Sequence, residues 1–316
     1  MWIHLERYGY MNILFSANNN YVHCSKVFLY SICENHKENQ IDFWLAYSDI
    51  TEQGIGELQK VINLYPNKRL HLLRIDDSFA KKIKGETILP AETFYRILAI
   101  DLLPQNMDRI LYLDVDMVIK GDISKIFDIS LENHPFGVCE DMNANIACVD
   151  VHSSSRVPRE KKYFNAGTLL MNLDYLRKNN CVDRILSRFL NEYQDFFYLD
   201  QDILNNEYYD SVLFIPWEKY NLHPSLYHLD LYAISDNAIK FANYNEMNNR
   251  CDDYDKRYKD ITDIIIERAS IIHYISDSKP WKHRDDEMYW VHALYKDYWL
   301  EYERQMLENL NETTSL

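Results

Sequence analysis

The sequence predicts an α/β protein with a mainly parallel sheet, helices on both faces and a helical extension at its C-terminus. Short apolar runs of strand length alternate with segments whose apolar residues recur at helical spacing, as in successive right-handed strand-helix-strand units. The run RILYLDVDMVI at residues 109–119 is apolar enough for a strand that is buried on both faces. Hydrophobic residues form 47% of the 316-residue chain, which argues against a disordered protein.

The first part of the chain alternates strand and helix regularly. The predicted strands are short apolar runs, and the predicted helices have apolar residues at intervals of three and four. In chain order these elements are a strand at residues 11–17, a helix at 21–35, a strand at 41–47, a helix at 51–64, a strand at 70–75, a helix at 91–103 and the strand at 109–119. Thr51 is a typical helix N-cap, and Pro104 ends the helix that precedes it.

The second part of the chain is less regular. The predicted elements are strands at residues 136–140, 163–173, 212–216 and 270–275, helices at 174–193 and 200–209, and a long aromatic helix at 286–309. Residues 220–262 are rich in Asn, Asp and Tyr without clear periodicity, so we expect irregular loops there. Ligands of such sheets bind at the carboxyl ends of the strands, so we expect the loops after Ala17, Ala46 and Leu113 to meet.

The amino-acid composition excludes several classes of function and partner. Lysine and arginine number 34 and the acidic residues 49, so a net charge of −15 disfavours nucleic acid and anionic lipid as partners. The seven glycines fit neither a dinucleotide fingerprint nor a P-loop. The six cysteines lack the spacing of a zinc site, which favours a reduced, cytoplasmic setting. We find no transmembrane stretch and no signal peptide, and therefore expect a cytoplasmic protein.

Asp114 and Asp116 end the strongest predicted strand. Because strand side chains alternate, we expect both carboxylates on one side and Val115 on the other. Two carboxylates that repel each other favour a bridging cation, and Mg²⁺ or Mn²⁺ on a diphosphate is the simplest candidate. The alternative is an aspartate pair in an exposed turn.

A histidine and a lysine after a later strand extend this pattern. His273 follows an apolar run and is a candidate nitrogen ligand for the same cation. Lys279 lies six residues further on and is placed to reach the terminal phosphate of a leaving group. The alternatives are a buried structural histidine and a solvated loop lysine.

Five motifs in order resemble glycosyltransferase family eight, which includes bacterial lipopolysaccharide galactosyl- and glucosyltransferases and glycogenin. They are ILFSANNNY at 13–21, LYLDVD at 111–116, FNAG at 164–167, DQD at 200–202 and HYISDSKPW at 273–281. The resemblance implies a GT-A fold and retaining transfer of a hexose from a UDP-sugar donor, dependent on Mn²⁺, with Mg²⁺ as the alternative cation. It slightly favours galactose over glucose and implies a glycan acceptor.

The resemblance also implies where the cation and the diphosphate bind. Asp114, Asp116 and His273 match the metal ligands of the family. Lys279 and the backbone N–H of Ser276 match the clamp on the diphosphate, although the family has glycine at the position of Ser276. A serine is tolerable there if only its backbone is used.

Further positions match the donor pocket. The nucleoside pocket matches Ala17, Asn18, Asn20 and Tyr21, although the family often has Asp-Asp where this chain has Asn18 and Asn19. The other matched donor-site positions are Arg96, Val115, Asp141, Asn165, Ala166, Asp200 and Gln201. Gln201, Asp200 and Asp141 are the candidate catalytic residues, with Gln201 beneath the anomeric carbon. A neutral amide is a weak nucleophile, which favours attack from the face of the leaving phosphate.

The resemblance implies a catalytic domain at residues 11–285, between an N-terminal extension at 1–10 and a C-terminal aromatic helix at 286–316. Residues 285–316 carry two basic and eight acidic side chains, which disfavours a membrane contact. A homodimer interface, a packed lid and ordinary core packing are the alternatives for this helix. Alternative functions are a catalytically silent sugar-binding protein, a two-carboxylate hydrolase and a glycogenin-like enzyme that glucosylates one of its own 25 tyrosines.

Overall fold

The structure is a computed structural model. It describes residues 9–76, 91–141, 155–192, 196–223, 230–235, 238–242, 266–275, 279–282 and 290–311.

Seven strands form the central sheet, in the order β3-β2-β1-β4-β7-β6-β8. Their bounds are Tyr10–Ser16 (β1), Gln40–Tyr47 (β2), Lys68–Arg74 (β3), Arg109–Leu113 (β4), Phe136–Glu140 (β6), Phe164–Asn172 (β7) and Leu213–Ile215 (β8). β7 runs antiparallel to both of its neighbours, while the other four pairings in the sheet are parallel. The mainly parallel α/β sheet is thereby confirmed.

Helices cover both faces of the sheet. Their bounds are Val22–Asn35 (α1), Glu52–Ile62 (α2), Tyr95–Leu102 (α3), Leu173–Lys178 (α4), Cys181–Glu192 (α5), Asp200–Tyr208 (α6), Trp217–Tyr220 (α7) and Trp290–Leu310 (α8). One hydrophobic cluster joins the sheet to α1, α2 and α8, and a second joins it to α3, α4, α5 and α6. Within the described residues, no helix is both long and apolar enough to cross a membrane.

The prediction of a single strand at residues 109–119 is wrong. β4 ends at Leu113, and a separate strand, β5 (Met117–Ile119), pairs antiparallel with β11 (Ile271–His273). The backbone N–H of Asp114 donates to the carbonyl of Gly167, after which the chain bends out of the central sheet. An apolar run shows that both pieces are buried, but it does not show which strand each piece pairs with.

Two other expectations also need correction. The helix expected at residues 174–193 divides into α4 and α5, because Asn180 adopts a left-handed backbone with φ of 50°. The segment expected to be irregular contains two antiparallel strands, Asp230–Ser235 (β9) and Ala238–Ala242 (β10). The rest of that segment from residue 224 onwards lies outside the described residues.

The described part of α8 packs on the chain's own core. Trp299 is fully buried and lies 5.4 Å from Trp281, ring centroid to ring centroid. Glu303 contacts His23 at 2.5 Å, and the Tyr302 hydroxyl accepts a hydrogen bond from Asn35. The face of α8 that carries these residues therefore packs on the core, which was one of the alternatives for this helix.

The loops that carry the predicted site lie at the edge of the sheet where the parallel strands end. Asn19, after β1, accepts hydrogen bonds from the backbone N–H and the hydroxyl of Thr51, after β2. The N-terminal end of β7 lies at the same edge, because β7 runs in the opposite direction to β4. The FNAG motif at its start therefore lies beside Asp114.

Candidate active site

Asp114, Asp116 and His273 lie together at this edge. One potential ligand atom from each residue lies within 4.8 Å of the others. The His273 Nε2 is 3.1 Å from an Asp116 oxygen and 3.8 Å from an Asp114 oxygen. His273 is brought there by the pairing of β11 with β5, in which it lies opposite Met117.

The reason for this convergence differs from the expected one. The two aspartates lie in the bend between β4 and β5, so strand alternation does not direct them. The Tyr112 hydroxyl donates to Asp114 at 2.6 Å, and the backbone carbonyl of Asp116 accepts from the N–H of Tyr274. Two carboxylates and an imidazole form a donor set that suits Mn²⁺ or Mg²⁺.

Lys279 is not a solvated loop lysine. Its ammonium group donates to the Asp116 carboxylate and to the Tyr274 carbonyl, and it lies 5.8 Å from the centre of the Trp281 ring. Burial lowers the pKa of Lys279, but the Asp116 carboxylate outweighs it and raises the net pKa above its ordinary value. Burial likewise opposes ionisation of Asp116, yet Lys279 and His273 hold its pKa well below the usual range. Ser276 lies outside the described residues.

Arg96 joins this cluster to the expected sugar pocket. Its guanidinium lies 3.2 Å from an Asp114 oxygen and 3.1 Å from an Asp200 oxygen. It also donates to the Ala166 carbonyl and lies 4.4 Å from the centre of the Tyr112 ring. A planar, permanently charged group with several donors can hold two carboxylates at once. Arg96 therefore fixes Asp200 relative to Asp114.

Asp200 is the first residue of α6 and is only 3% exposed. Burial raises its pKa to about 6, against the opposing effect of Arg96, and the charge of Asp114 adds to the rise. Asp200 therefore changes its charge near pH 6.

We expect the transfer activity that the resemblance implies to fall below about pH 6. The raised pKa means that Asp200 gains a proton as the pH falls through this value, and Arg96 then loses one of its two carboxylate partners. A profile of kcat/KM between pH 4.5 and 8 should decline by about tenfold per unit on the acid side. A profile that stays flat down to pH 5 would contradict this expectation, and urea unfolding at each pH controls for loss of the fold.

Gln201 lies inside a hydrogen-bond network that fixes its amide orientation. Its Oε1 accepts from the backbone N–H of Ala166 at 2.9 Å and from Asn165 at 3.2 Å. Its Nε2 donates to Asp141 and to the Tyr163 hydroxyl, both at 3.2 Å. The structure thus brings together Asp141, Asn165, Ala166 and Gln201.

Asp202 holds the loop that leads into α6. It is fully buried, accepts from the backbone N–H groups of Phe197 and Tyr198 at 2.7 and 2.8 Å, and accepts from the Tyr163 hydroxyl at 2.6 Å. Its role in positioning Asp200 and Gln201 was not found from the sequence, where only its place in the DQD run was noted.

The expected nucleoside loop is ordered by its own side chains. Asn18 Oδ1 accepts from the backbone N–H of Asn20 at 3.0 Å, and Asn18 Nδ2 donates to Glu92 at 3.4 Å. Ala17 is buried, and the Tyr21 ring lies 6.4 Å edge-on from Trp281. Asn18 therefore presents its oxygen to its own loop and its NH₂ group to Glu92.

No role for Gly167 was predicted from the sequence. A Cβ at this position would lie 2.5 Å from His273 Cε1, 2.8 Å from an Asp114 oxygen and 2.9 Å from Asn165 Oδ1. The cluster therefore needs a residue without a side chain here, and the glycine of the FNAG motif was the available signal. Asn221, which contacts both His273 and Asn165, was also missed, and no sequence signal marked it.

The family model for glycosyl transferase family 8 matches residues 12–285 of this chain. The chain belongs to glycosyltransferase family 8. This membership makes it a glycosyltransferase.

Two relatives each match this chain over 276 residues, about the length that the family model covers. The chain is 26% identical over 276 residues to a lipopolysaccharide 1,2-glucosyltransferase of Escherichia coli K12, covering 86% of this chain and 72% of the relative. It is 24% identical over 276 residues to general stress protein A of Bacillus subtilis, covering 86% of this chain and 87% of the relative.

A solved structure supports the fold of this family 8 chain. The galactosyltransferase LgtC, in complex with donor and acceptor sugar analogues, matches with a TM-score of 0.68 and 21% sequence identity, covering 93% of this chain and 96% of LgtC. The expected GT-A fold is thereby confirmed.

Proposed function

We propose that this family 8 enzyme is a retaining, Mn²⁺-dependent transferase that moves a hexose from UDP to a glycan. Galactose is the donor sugar favoured over glucose, and the acceptor is a glycan of a surface polysaccharide, lipopolysaccharide or glycoprotein. The observation that carries the proposal is the cluster of Asp114, Asp116 and His273 beside the buried Lys279. This cluster adjoins the network of Arg96, Asp200 and Gln201.

The metal ligands would be Asp114, Asp116 and His273, whose donor atoms suit Mn²⁺ or Mg²⁺. When bound there, the cation supplies positive charge for a diphosphate. Lys279, next to Asp116, would add a second positive charge for the terminal phosphate. The loop that contains Asn18, Asn20 and Tyr21 would hold the nucleoside.

We propose that the acceptor attacks from the face of the leaving phosphate. The bond between the anomeric carbon and the phosphate oxygen breaks, the acceptor oxygen bonds to the same face, and its proton passes to the released phosphate oxygen. Gln201 Oε1 already accepts two hydrogen bonds and is a neutral amide, so it is a poor nucleophile. Asp200 faces Arg96, which favours a role in holding the sugar.

We expect Gln201→Ala to retain substantial turnover. Removing a positioning contact costs on the order of 10- to 100-fold in kcat, whereas removing an essential nucleophile costs about 10⁴-fold or more. Steady-state kinetics with the preferred donor measures the loss. Gln53→Ala, an exposed change on α2, is the control and should leave kcat unchanged. A loss as large as that of a nucleophile, or a glycosylated Gln201 detected by mass spectrometry, would contradict front-face attack.

The proposal as a whole is tested by UDP release from a panel of nucleotide sugars, without acceptor, in Mn²⁺ or in EDTA. We expect slow release from one hexose donor that EDTA abolishes. Release that continues in EDTA would overturn the metal requirement, and a preference for UDP-glucose would overturn the choice of galactose. If no donor is bound or cleaved, a catalytically silent sugar-binding protein becomes the better interpretation.

We propose a cytoplasmic enzyme, with contact at the inner membrane face as an alternative. The net charge of −15 disfavours nucleic acid and anionic lipid as partners. A homodimer through α8 would have to use the exposed side that carries Glu301, Arg304 and Glu308, since Trp299 is buried within the chain. Intact mass after incubation with donor tests the glycogenin-like alternative.

A further inference from the structure

The orientation of the Asn165 side-chain amide is fixed by a hydrogen bond from a backbone N–H group. The N–H of Gly167 donates to the side chain of Asn165 at 2.9 Å. A backbone N–H can only donate, so the atom that faces it is the carbonyl oxygen Oδ1. The Nδ2 of Asn165 consequently points the other way, where it donates to Asp141 at 3.1 Å. Both ends of this amide are therefore assigned by their partners.

The same reasoning extends to Asn221 and His273. Asn221 contacts Asn165 Oδ1 at 3.1 Å, and an oxygen that only accepts requires the Asn221 NH₂ group there. The Asn221 carbonyl oxygen is then the atom 2.9 Å from His273 Nδ1. Because that oxygen also only accepts, Nδ1 carries the proton. A histidine that binds a metal must be neutral, and its lone pair is then on Nε2, the atom that faces Asp116 and Asp114.

Asn221 is held rigidly enough to impose this orientation. It is 1% exposed and follows α7, where its N–H donates to the Trp217 carbonyl at 2.8 Å. The next residue, Leu222, bonds to the β11 backbone on both sides: its N–H donates to Ile271, and its carbonyl accepts from His273. Asn221 is thus held next to the backbone of His273 by the hydrogen bonds of its neighbour.

We propose that Asn221 is a positioning residue that keeps His273 in its Nδ1–H form, with Nε2 directed at a divalent cation. This inference rests on the proposed function, because it takes the cluster to be a cation site. Partners of this kind fix the tautomer of a ligating histidine, and their loss commonly weakens metal binding by about 10- to 100-fold. A leucine at position 221 has a similar volume but offers no acceptor to Nδ1.

The test compares Asn221→Leu with Asn221→Asp. The aspartate keeps an acceptor for Nδ1–H, but it replaces the donor to Asn165 with a second oxygen and adds a negative charge. Titration calorimetry with Mn²⁺ alone should show an affinity loss of about 10- to 100-fold for the leucine variant and a clearly smaller loss, or none, for the aspartate variant. Asn191→Leu, an exposed change on α5, is the control. Thermal unfolding of each variant reports whether the fold is kept.

A second readout follows the tautomer itself. With ¹⁵N-labelled histidine and Mg²⁺ as a diamagnetic cation, NMR of the wild-type protein should show His273 protonated at Nδ1, with its signals assigned from a His273→Gln variant. The leucine variant should lose this preference. Equal Mn²⁺ affinity and an unchanged tautomer in the leucine variant would overturn the role of Asn221 while leaving the proposed function intact. A wild-type protein that binds neither cation would overturn both.

Discussion

Asp116→Asn is expected to reduce metal-dependent UDP release to about one thousandth of the wild-type rate. Loss of a group that stabilises the charge of a transition state has an effect of this size. Asp116 contacts two groups at once, His273 Nε2 and the Lys279 ammonium. An asparagine keeps the shape but removes the negative charge that both groups face. The change therefore weakens cation binding and also releases Lys279 from the position that it holds now.

The measurement is UDP release at saturating donor, with Mn²⁺ varied over a wide range. Asp122→Asn is the matched control, because Asp122 lies just beyond β5, is exposed, and caps the backbone N–H of Ser124 at 2.8 Å. This control should stay within about twofold of the wild type, as surface changes usually do. An Asp116→Asn enzyme with more than about a tenth of the wild-type rate at high Mn²⁺ would show that this carboxylate is not an essential ligand.

Gly167→Ala is expected to remove cation binding while leaving most of the fold in place. The added methyl group would lie 2.5 Å from His273 Cε1 and 2.8 Å from an Asp114 oxygen, closer than atoms can approach. Either β7 or the two ligands must shift. A displacement of this kind at a reacting centre costs on the order of 100-fold in rate. Mn²⁺ titration and UDP release should both show the loss.

Gly56→Ala provides the control for the same chemical change. Gly56 lies within α2, and a Cβ there would meet nothing within 4 Å. Alanine is a better helix former than glycine, so this variant should be more stable by about 0.5–1 kcal/mol and fully active. Urea unfolding measures the difference. A Gly167→Ala enzyme with wild-type Mn²⁺ affinity would contradict the close packing of the cluster.

Much of the fold could be predicted because its elements are encoded locally. The apolar runs of β1, β2 and β6 and the periodic pattern of α1 predicted elements within a residue or two of those observed. The break at Asp114 could not be predicted in this way. β5 leaves the central sheet to pair with β11, which is about 150 residues away in the sequence.

The sequence by itself determined the α/β class, the family and the chemical types that the site contains: two carboxylates, an imidazole and a lysine. Tertiary structure decided how these groups are oriented. Asp116 faces Lys279, Arg96 bridges Asp114 and Asp200, and Asn221 sets the nitrogen that His273 presents. Motifs record residue type and spacing along the chain, whereas hydrogen-bond direction depends on partners from distant strands, which only the folded sheet brings together.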